Sequence, residues 1–397
     1  MKTLVIIGGG ASGFFLGANI KSENWKVIIL EQAKHPLQKV KISGGGRCNV
    51  TNACFNPKEL VKSYPRGSKE LLSVFSCFQP ADTLEWFAQR NIRLKTEDDN
   101  RVFPETDSSQ TIIDALLHAA RENGVQIHYE TPVTGILKDS EKFEIKTTHR
   151  TYQTDALVVA AGSSSKIWEI ISGLGHTIVP PVPSLFTFNC KNDILTDLQG
   201  ISFPKAELLI PQFKLKESGS LLITHWGLSG PAILKLSSRG AREAAFSDYN
   251  FTLRINWVSE KFDHVKENLS QHRSAHPKKS IYSLKLYDIP QRFWKNMLQT
   301  LEIKEKTLSD LGKTESNKIA ETLTNSQLQI TGKSTFKEEF VTAGGVDLKE
   351  IDFRTMQSKL IPDLYFAGEV LNIDALTGGF NLQACWSEAF VISRQFK

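Results

Sequence analysis

A chain of 397 residues, 40% hydrophobic and 23% charged with 26 Gly and 15 Pro, has the make-up of a globular protein too long for one compact core, so two or three domains are expected. That composition excludes a disordered chain, a collagen and a small disulfide scaffold. The formal charge of +5, from 48 basic and 43 acidic side chains with no basic run longer than Lys278-Lys279, is too diffuse to argue for a nucleic-acid partner.

The five cysteines, Cys48, Cys54, Cys77, Cys190 and Cys385, are odd in number and scattered, with no CxxC pair and no histidine at metal-ligand spacing. A reduced cytoplasm and no metal are the expectation. The opening apolar run stops at Gly8, short of the ~7–15 residues of a signal h-region. No stretch approaches the ~18 apolar residues of a bilayer span, so neither export nor a membrane is expected.

In chain order, Thr3 to Ile7 is a β-branched run of the kind that forms a strand covered on both faces. Gly8 to Gly13 then leads into a helix at Phe14 to Ile20, and Lys26 to Leu30 repeats the strand signal. This predicts a βαβ unit of about 30 residues. Gly124 to Tyr129 and Asp155 to Ala160 read as further strands, with a helix between them where Ile112, Leu116 and Ala119 share one face. Thr131 to Thr154 reads as an antiparallel meander laid over the sheet. Pro180-Pro181-Val182-Pro183 cannot continue a helix or a central strand and marks a domain crossing. Leu185 to Val258 is strand-like, the next stretch is helical with Phe293, Trp294, Met297, Leu298 and Leu301 on one stripe, and a last helix spans about Gly379 to Arg394.

The pattern Gly8-x-Gly10-x-x-Gly13 follows a strand, opens a helix, and has Glu31 eighteen positions beyond its last glycine. The glycines permit a tight turn, close approach of backbone to a pyrophosphate and close helix–sheet packing, while the helix start offers N–H groups to the phosphates and Glu31 an acceptor to a ribose. Two later turns choose FAD over NAD. Val158-Val159-Ala160-Ala161-Gly162 and Leu364-Tyr365-Phe366-Ala367-Gly368-Glu369 are strand ends with small residues, and the long FAD molecule needs contacts at its ribityl end as well. Thr377 to Gln383 then places two glycines before a helix. Its first N–H groups would favour negative charge on the flavin's N1–C2=O edge, unless Asn381 merely caps the helix.

The segment Lys39 to Asn52, KVKISGGGRCNVTN, is more specific than the fingerprint. With Thr224-His225-Trp226-Gly227-Leu228-Ser229-Gly230-Pro231, Thr342 to Val346, Gly368 to Leu371 and Thr377 to Gln383, it resembles the BaiN-type NAD(P)/FAD-dependent oxidoreductases, a bacterial flavoprotein family that includes proteins labelled aminoacetone oxidases. The resemblance spans nearly the whole chain and implies an α/β fold: a Rossmann-like FAD-binding domain built from both chain ends, interrupted by an inserted β-rich domain with a helical subdomain. The expected parts are 1–187 and 338–397 for the FAD-binding domain, and 188–337 for the insertion, β-rich at 188–258 and 326–337 and helical at 259–325.

Carried over onto this sequence, Gly8, Gly10, Ser12, Gly13, Glu31, Lys39, Arg47, Asn49, Gly162, Gly368, Glu369, Gly379, Phe380, Asn381 and Leu382 would touch non-covalently bound FAD. Ala11, Gln32, Ser43, Gly44, Cys48, Val133 and Ala161 complete the candidate set. The family usually has an acid where Asn372 stands and glycine where Ala375 stands, so no substrate is transferred. Read from the residues themselves, Ser43 to Asn52 is an anion loop, its glycines forming a nest and Arg47 a fork suited to pyrophosphate. Cys48 beside Arg47 is either a reactive thiol or a small side chain packed under the loop. His225 and Trp226, the catalytic candidates, either face a substrate or form a packed β-to-helix corner.

The function expected is an FAD-dependent oxidoreductase transferring hydride between NAD(P)H and a small organic substrate, an enone-like C=C bond or an amine. With no second GxGxxG, NAD(P)H would visit transiently or oxygen would replace it. The alternative is a non-catalytic or redox-sensing flavoprotein whose inserted domain binds a partner. A flavin enzyme acting on tRNA needs a basic surface that the diffuse charge does not supply. The oligomeric state is not read from the sequence.

Overall fold

The computed structural model describes residues 1–139, 141–334 and 341–396. The chain divides into two units, one of Met1–Pro183 with Lys337–Lys397 and the other of Ser184–Phe336. The expected return from the insertion at residue 337 lies outside the described residues.

A seven-stranded sheet organises the first unit. Across it lie Ile351–Asp352, Gln357–Ser358, Leu364–Phe366, Ala156–Val159, Lys2–Ile7, Trp25–Leu30 and Gln126–His128. The strands from Leu364–Phe366 to Gln126–His128 are parallel, with Ile6 opposite both Val158 and Ile29 and Val158 opposite Tyr365. Ile6, Ile29, Leu157 and Val158 are fully buried, as continuous apolar strands must be when helices cover both faces. The sheet is thus joined from both chain ends, the Rossmann-like arrangement expected.

Helix Ser109–Glu122 buries Ile112, Leu116 and Ala119 on the predicted face, and the Ser108 hydroxyl caps it by accepting from the Gln110 amide at 3.3 Å. The final helix, Phe380–Ser393, is flanked by Gly379 and Arg394 as the sequence predicted. It is buried on nearly every side. Trp386 lies 5.1 Å from the ring of Phe15 and donates its indole N–H to the Val50 carbonyl at 2.9 Å. The stretch 131–154 forms the three-stranded meander Val133–Lys138, Phe143–Thr147 and Thr151–Thr154.

Two features differ from the sequence reading in the first unit. The proline run is itself a strand, Ile178–Ser184, in a two-stranded ribbon with Val341–Val346. Such a ribbon has open edges, where prolines lacking an N–H are tolerated. Helices Ser68–Cys77 and Pro80–Ala88 fill a stretch for which the sequence reading had no element. In the same unit, buried His176 shares Nδ1 with Glu350 at 2.7 Å and Nε2 with the Ser358 hydroxyl at 2.9 Å. Although the order is that of a nucleophilic triad, the Ser358 oxygen also accepts from the amides of Leu360 and Ile361 and is buried. It locks the edge hairpin.

The second unit is a closed antiparallel barrel in the order Thr187–Asn189, Gly227–Ser229, Leu215–Ile223, Ser202–Ile210, Asn250–Asn256 and Ser326–Ser334. Leu208, Leu221, Phe251, Leu253, Ile255 and Ile330 alternate inward, as a barrel requires. Helices Phe262–Ala275, Gln291–Thr300 and Lys313–Asn325 belong to the same unit, and Phe293 packs 4.8 Å from the rings of both Phe203 and Trp257. The stretch read as strands contains two helices, Pro231–Arg239 and Ala241–Phe246. Pro231 in their first turn, with Ala232, Ile233 and Leu236 buried on one face, is the overlooked start signal.

Candidate functional site

The parallel strands deliver three glycine turns to the C-terminal edge of the sheet, where α/β sheets bind ligands. In the first turn Gly8 has φ +110°, and a Cβ there would collide with the Ala160 carbonyl. Only glycine lets the first turn lie against the Ala160–Gly162 turn. Gly10 is the N-cap of helix Ala11–Asn19, and a Cβ on it would meet nothing within 4 Å. Glu31 holds this loop: one carboxylate oxygen accepts from the Gly9 amide and the other from Ala33, both at 2.7 Å. The Glu31 carbonyl accepts from Thr131 at 2.8 Å, which brings the start of the Val133 strand alongside, while Gln32 is exposed.

Lys39, Ser163 and Glu369 meet although they are far apart in sequence. The Lys39 ammonium pairs with Glu369 and donates to the Ser163 hydroxyl at 3.3 Å, and Glu369 also accepts from the Thr342 amide at 2.9 Å. Gly162 abuts the Glu369 carboxylate, Ala161 is half-buried, and Gly368 lies against Ser12.

In the anion loop Gly44, Gly45 and Gly46 are left-handed in succession, and Cβ atoms on Gly45 and Gly46 would meet nothing within 4 Å. The Ser43 hydroxyl donates to the Val40 carbonyl at 2.8 Å. Arg47 is engaged by acids: its guanidinium donates to Glu97 at 2.7 Å and Asp107 at 3.4 Å and lies 3.9 Å from the centre of the Phe103 ring. Cys48 is fully buried, and burial pushes its thiol up to about 12.

At the last turn Gly379 has φ +88°, and a Cβ would collide with the Thr51 carbonyl and come within 2.8 Å of Asn49 Oδ1. The anion loop and the start of the final helix therefore touch. Asn381 does not cap that helix; its side chain accepts from the Ala375 amide at 3.0 Å and donates back to the Ala375 carbonyl at 3.3 Å. The Phe380 carbonyl accepts from the Tyr64 hydroxyl at 2.6 Å, and Leu382 is half-buried.

Several residues that hold this site were missed. Arg66 makes a two-pronged ion pair with fully buried Asp374, between Asn372 and Ala375 in the loop leading to Gly378. Gln383 accepts from Thr51 at 2.5 Å and Thr83 at 2.9 Å. Gln383 stood inside a quoted motif and Asp374 between the departures noted at Asn372 and Ala375, so both could have been found; Arg66 had no local signal. In the other unit, His225 and Trp226 sit at a hairpin tip, both exposed, Trp226 at 60%. They are not packed into a corner.

Gly10, at a helix start with no side-chain cap, and Gly45 and Gly46 in the anion loop each present open backbone rather than side chains, the makings of a backbone cradle. This fits a dinucleotide. The family description HI0933-like protein Rossmann domain matches residues 2–395. The chain belongs to the HI0933-like family. With that family come a Rossmann-type FAD-binding domain and the activity of a flavin-dependent oxidoreductase. The chain is 28% identical over 403 residues to the ribosomal RNA dihydrouridine synthase of Escherichia coli (strain K12), covering 98% of this chain and 96% of that one. It is 24% identical over 408 residues to the 3-dehydro-bile acid delta(4,6)-reductase of Clostridium scindens, covering 99% and 98%. The 3-ketosteroid-delta4-(5alpha)-dehydrogenase of Rhodococcus jostii RHA1 shares the HI0933-like chain's fold at TM-score 0.54 and 12% identity, covering 98% of this chain and 95% of that one. Among the described residues no helix is long and apolar enough to cross a membrane, and no cluster of metal-ligating side chains occurs.

Proposed function

We propose that the chain reduces a carbon–carbon double bond conjugated to a carbonyl, with NADH or NADPH as a transient reductant. When bound, FAD supplies the two-electron carrier. The observation that carries the reading is the chemistry shared by two whole-length relatives: a delta(4,6)-reductase of a 3-dehydro bile acid and a dihydrouridine synthase both saturate an alkene conjugated with a carbonyl. The thiols agree with hydride rather than dithiol chemistry. Cys48 and Cys385 are both pushed up to about 12, chiefly by burial, so neither offers a thiolate to relay electrons.

In this reading Gly8, Gly10, Ala11, Ser12 and Gly13 hold the pyrophosphate with the helix start behind them. Glu31, whose oxygens each keep one acceptor site beyond Gly9 and Ala33, takes the adenosine ribose, flanked by Gln32 and Val133. Lys39, Ser43, Gly44, Arg47, Cys48 and Asn49 line the anion loop. Ala161, Gly162, Gly368 and Glu369 take the ribityl chain, and Gly379, Phe380, Asn381 and Leu382 the flavin's N1–C2=O edge. His225 and Trp226 are candidates for substrate contact on the inserted unit. Five free cysteines accord with a reducing cytoplasm.

The diffuse charge spoke against nucleic acid, yet the name of the Escherichia coli relative specifies ribosomal RNA, so RNA enters as an arm of the test. FAD-loaded protein is bleached anaerobically with NADH or NADPH, then offered a 3-oxo steroid enone and, separately, a uridine-containing RNA. Reoxidation by either, with two hydrogens gained by the product, supports the reading and identifies the carrier of the double bond. Reoxidation by oxygen alone overturns it.

A further inference from the structure

Behind the Gly368–Glu369 turn lies a carboxyl group that the reading above does not use. Glu388, on the final helix, is fully buried. Its Oε2 accepts from the Gly368 amide at 2.5 Å, while Oε1 is enclosed with no partner among the described residues. The cations of the cradle are spent elsewhere, Lys39 on Glu369 and Arg66 on Asp374. The titratable groups that sense Glu388 are Tyr64, which reaches the start of the same helix, and Cys385, one turn earlier, itself acted on by Glu369 and Lys39. Tyr64 and Cys385 are neutral at ordinary pH, and among the described residues no positive charge acts on Glu388.

We propose that Glu388 is a positioning residue for the cofactor, a neutral acid that fixes the Gly368 amide and so sets Glu369, and whose ionisation weakens the hold on FAD. The inference rests on the assignment of the Gly368–Glu369 turn to the cofactor. A lone carboxylate in the interior is costly unless paired, so the group keeps its proton. Burial pushes it up to about 8, the Gly368 hydrogen bond opposing. As an acid it presents a carbonyl oxygen to Gly368 and adds no charge beneath a cradle that receives a doubly negative pyrophosphate. Ionised, it places a negative charge there in a medium that screens poorly.

The test measures the FAD dissociation constant of the apoprotein from pH 7 to 9, for the parent and Glu388→Gln, which keeps the acceptor for Gly368 and cannot ionise. The parent constant is expected to rise about tenfold over that range, as one proton lost on the binding-competent form requires. Glu388→Gln should bind within about threefold of the parent at pH 7 and stay flat. Parallel profiles for the two proteins, or a flat parent, overturn the proposal. Should the variant not fold, proton uptake on FAD binding to the parent at pH 8, read by calorimetry in buffers of different ionisation enthalpy, serves instead, and no uptake overturns it. A protein that binds no FAD at any pH removes the cradle assignment, and this inference with it.

Discussion

Glu31 reaches back twenty-two residues to accept from the Gly9 amide at 2.7 Å, so the acid at the end of the second strand holds the glycine turn at the end of the first. The same carboxylate accepts from the amide of Ala33, two residues on, at 2.7 Å. One side chain thus shapes the loop and remains able to accept from a ribose. Glu31→Ala should weaken FAD binding by about 1–3 kcal/mol, the range for a lost charged acceptor. Glu31→Gln, which keeps one acceptor oxygen, should lose less. An unchanged dissociation constant for Glu31→Ala would move the ribose elsewhere.

Gly379→Val tests the last turn. A side chain there meets the Thr51 carbonyl and Asn49 in a left-handed backbone, so the helix start must shift away from the anion loop. The strain is of order 1–3 kcal/mol in stability. If the helix start favours the reduced cofactor by ~1–2 kcal/mol, the potential should fall by roughly 20–45 mV for a two-electron couple. Equilibration with a reference dye reads it. A variant that keeps the parent potential removes the flavin edge from this turn.

Alkylation separates the thiols. Exposed Cys77 should react with a maleimide at neutral pH, and Cys54 more slowly. Cys48 and Cys190, buried and pushed up to about 12 and about 11, should stay unmodified until the protein unfolds. Mass spectrometry of the digested protein follows each site. Full reductase activity with Cys77 blocked is the expected accompaniment; rapid labelling of Cys48 would show that the anion loop opens.

Glu388 makes stability depend on pH. Its folded value, about 8, is raised above the ordinary 4.5, so the folded state binds the proton more tightly than the unfolded chain. The stabilisation is therefore complete below about pH 4.5 and is lost as pH rises toward about 8. The apoprotein melting temperature should fall across that window, and Glu388→Gln should flatten the fall. Carboxylates held low, among them Glu315 with Lys306 and Asp352 with Arg354, act oppositely at lower pH. A parent whose melting temperature is level across the window would show Glu388 ionised.

Arg66→Ala strips buried Asp374 of its two-pronged partner and should cost about 3–5 kcal/mol, as for a broken buried pair. Chemical denaturation measures it. Arg66→Ala with Asp374→Asn should recover part of the loss, because the uncompensated charge is removed. No recovery would mean that the pair acts by packing.

The first strand, the glycine turn and the final helix were legible because each announces itself locally: β-branched residues, glycines at fixed offsets, a Gly before an apolar run. Lys39 and Glu369 were found as motif members, but nothing local says that they meet. Pro180 to Pro183 fall at the boundary between the two units, as the sequence predicted, but their strand was not read because proline argues against central strands and is silent about edges. The Pro231 helix was lost among strands because its nine residues offer a single apolar stripe. Arg66 and Glu388 lie beyond any pattern in one sequence. Their roles exist only once the 61–67 segment and the final helix have come together around the Asp374 loop and the Gly368 turn.

The strand Leu364–Phe366 completes the parallel part of the sheet, whose other parallel strands are made in the first 160 residues. On the ribosome, those early strands must wait while the whole barrel and its helices are synthesised. The barrel closes on contacts internal to residues 184–336 and can fold during that interval. The parallel part of the sheet cannot, because its strand Leu364–Phe366 follows the barrel in the chain. A chain truncated before residue 364 would carry a finished barrel and an open-edged sheet, a substrate for proteolysis.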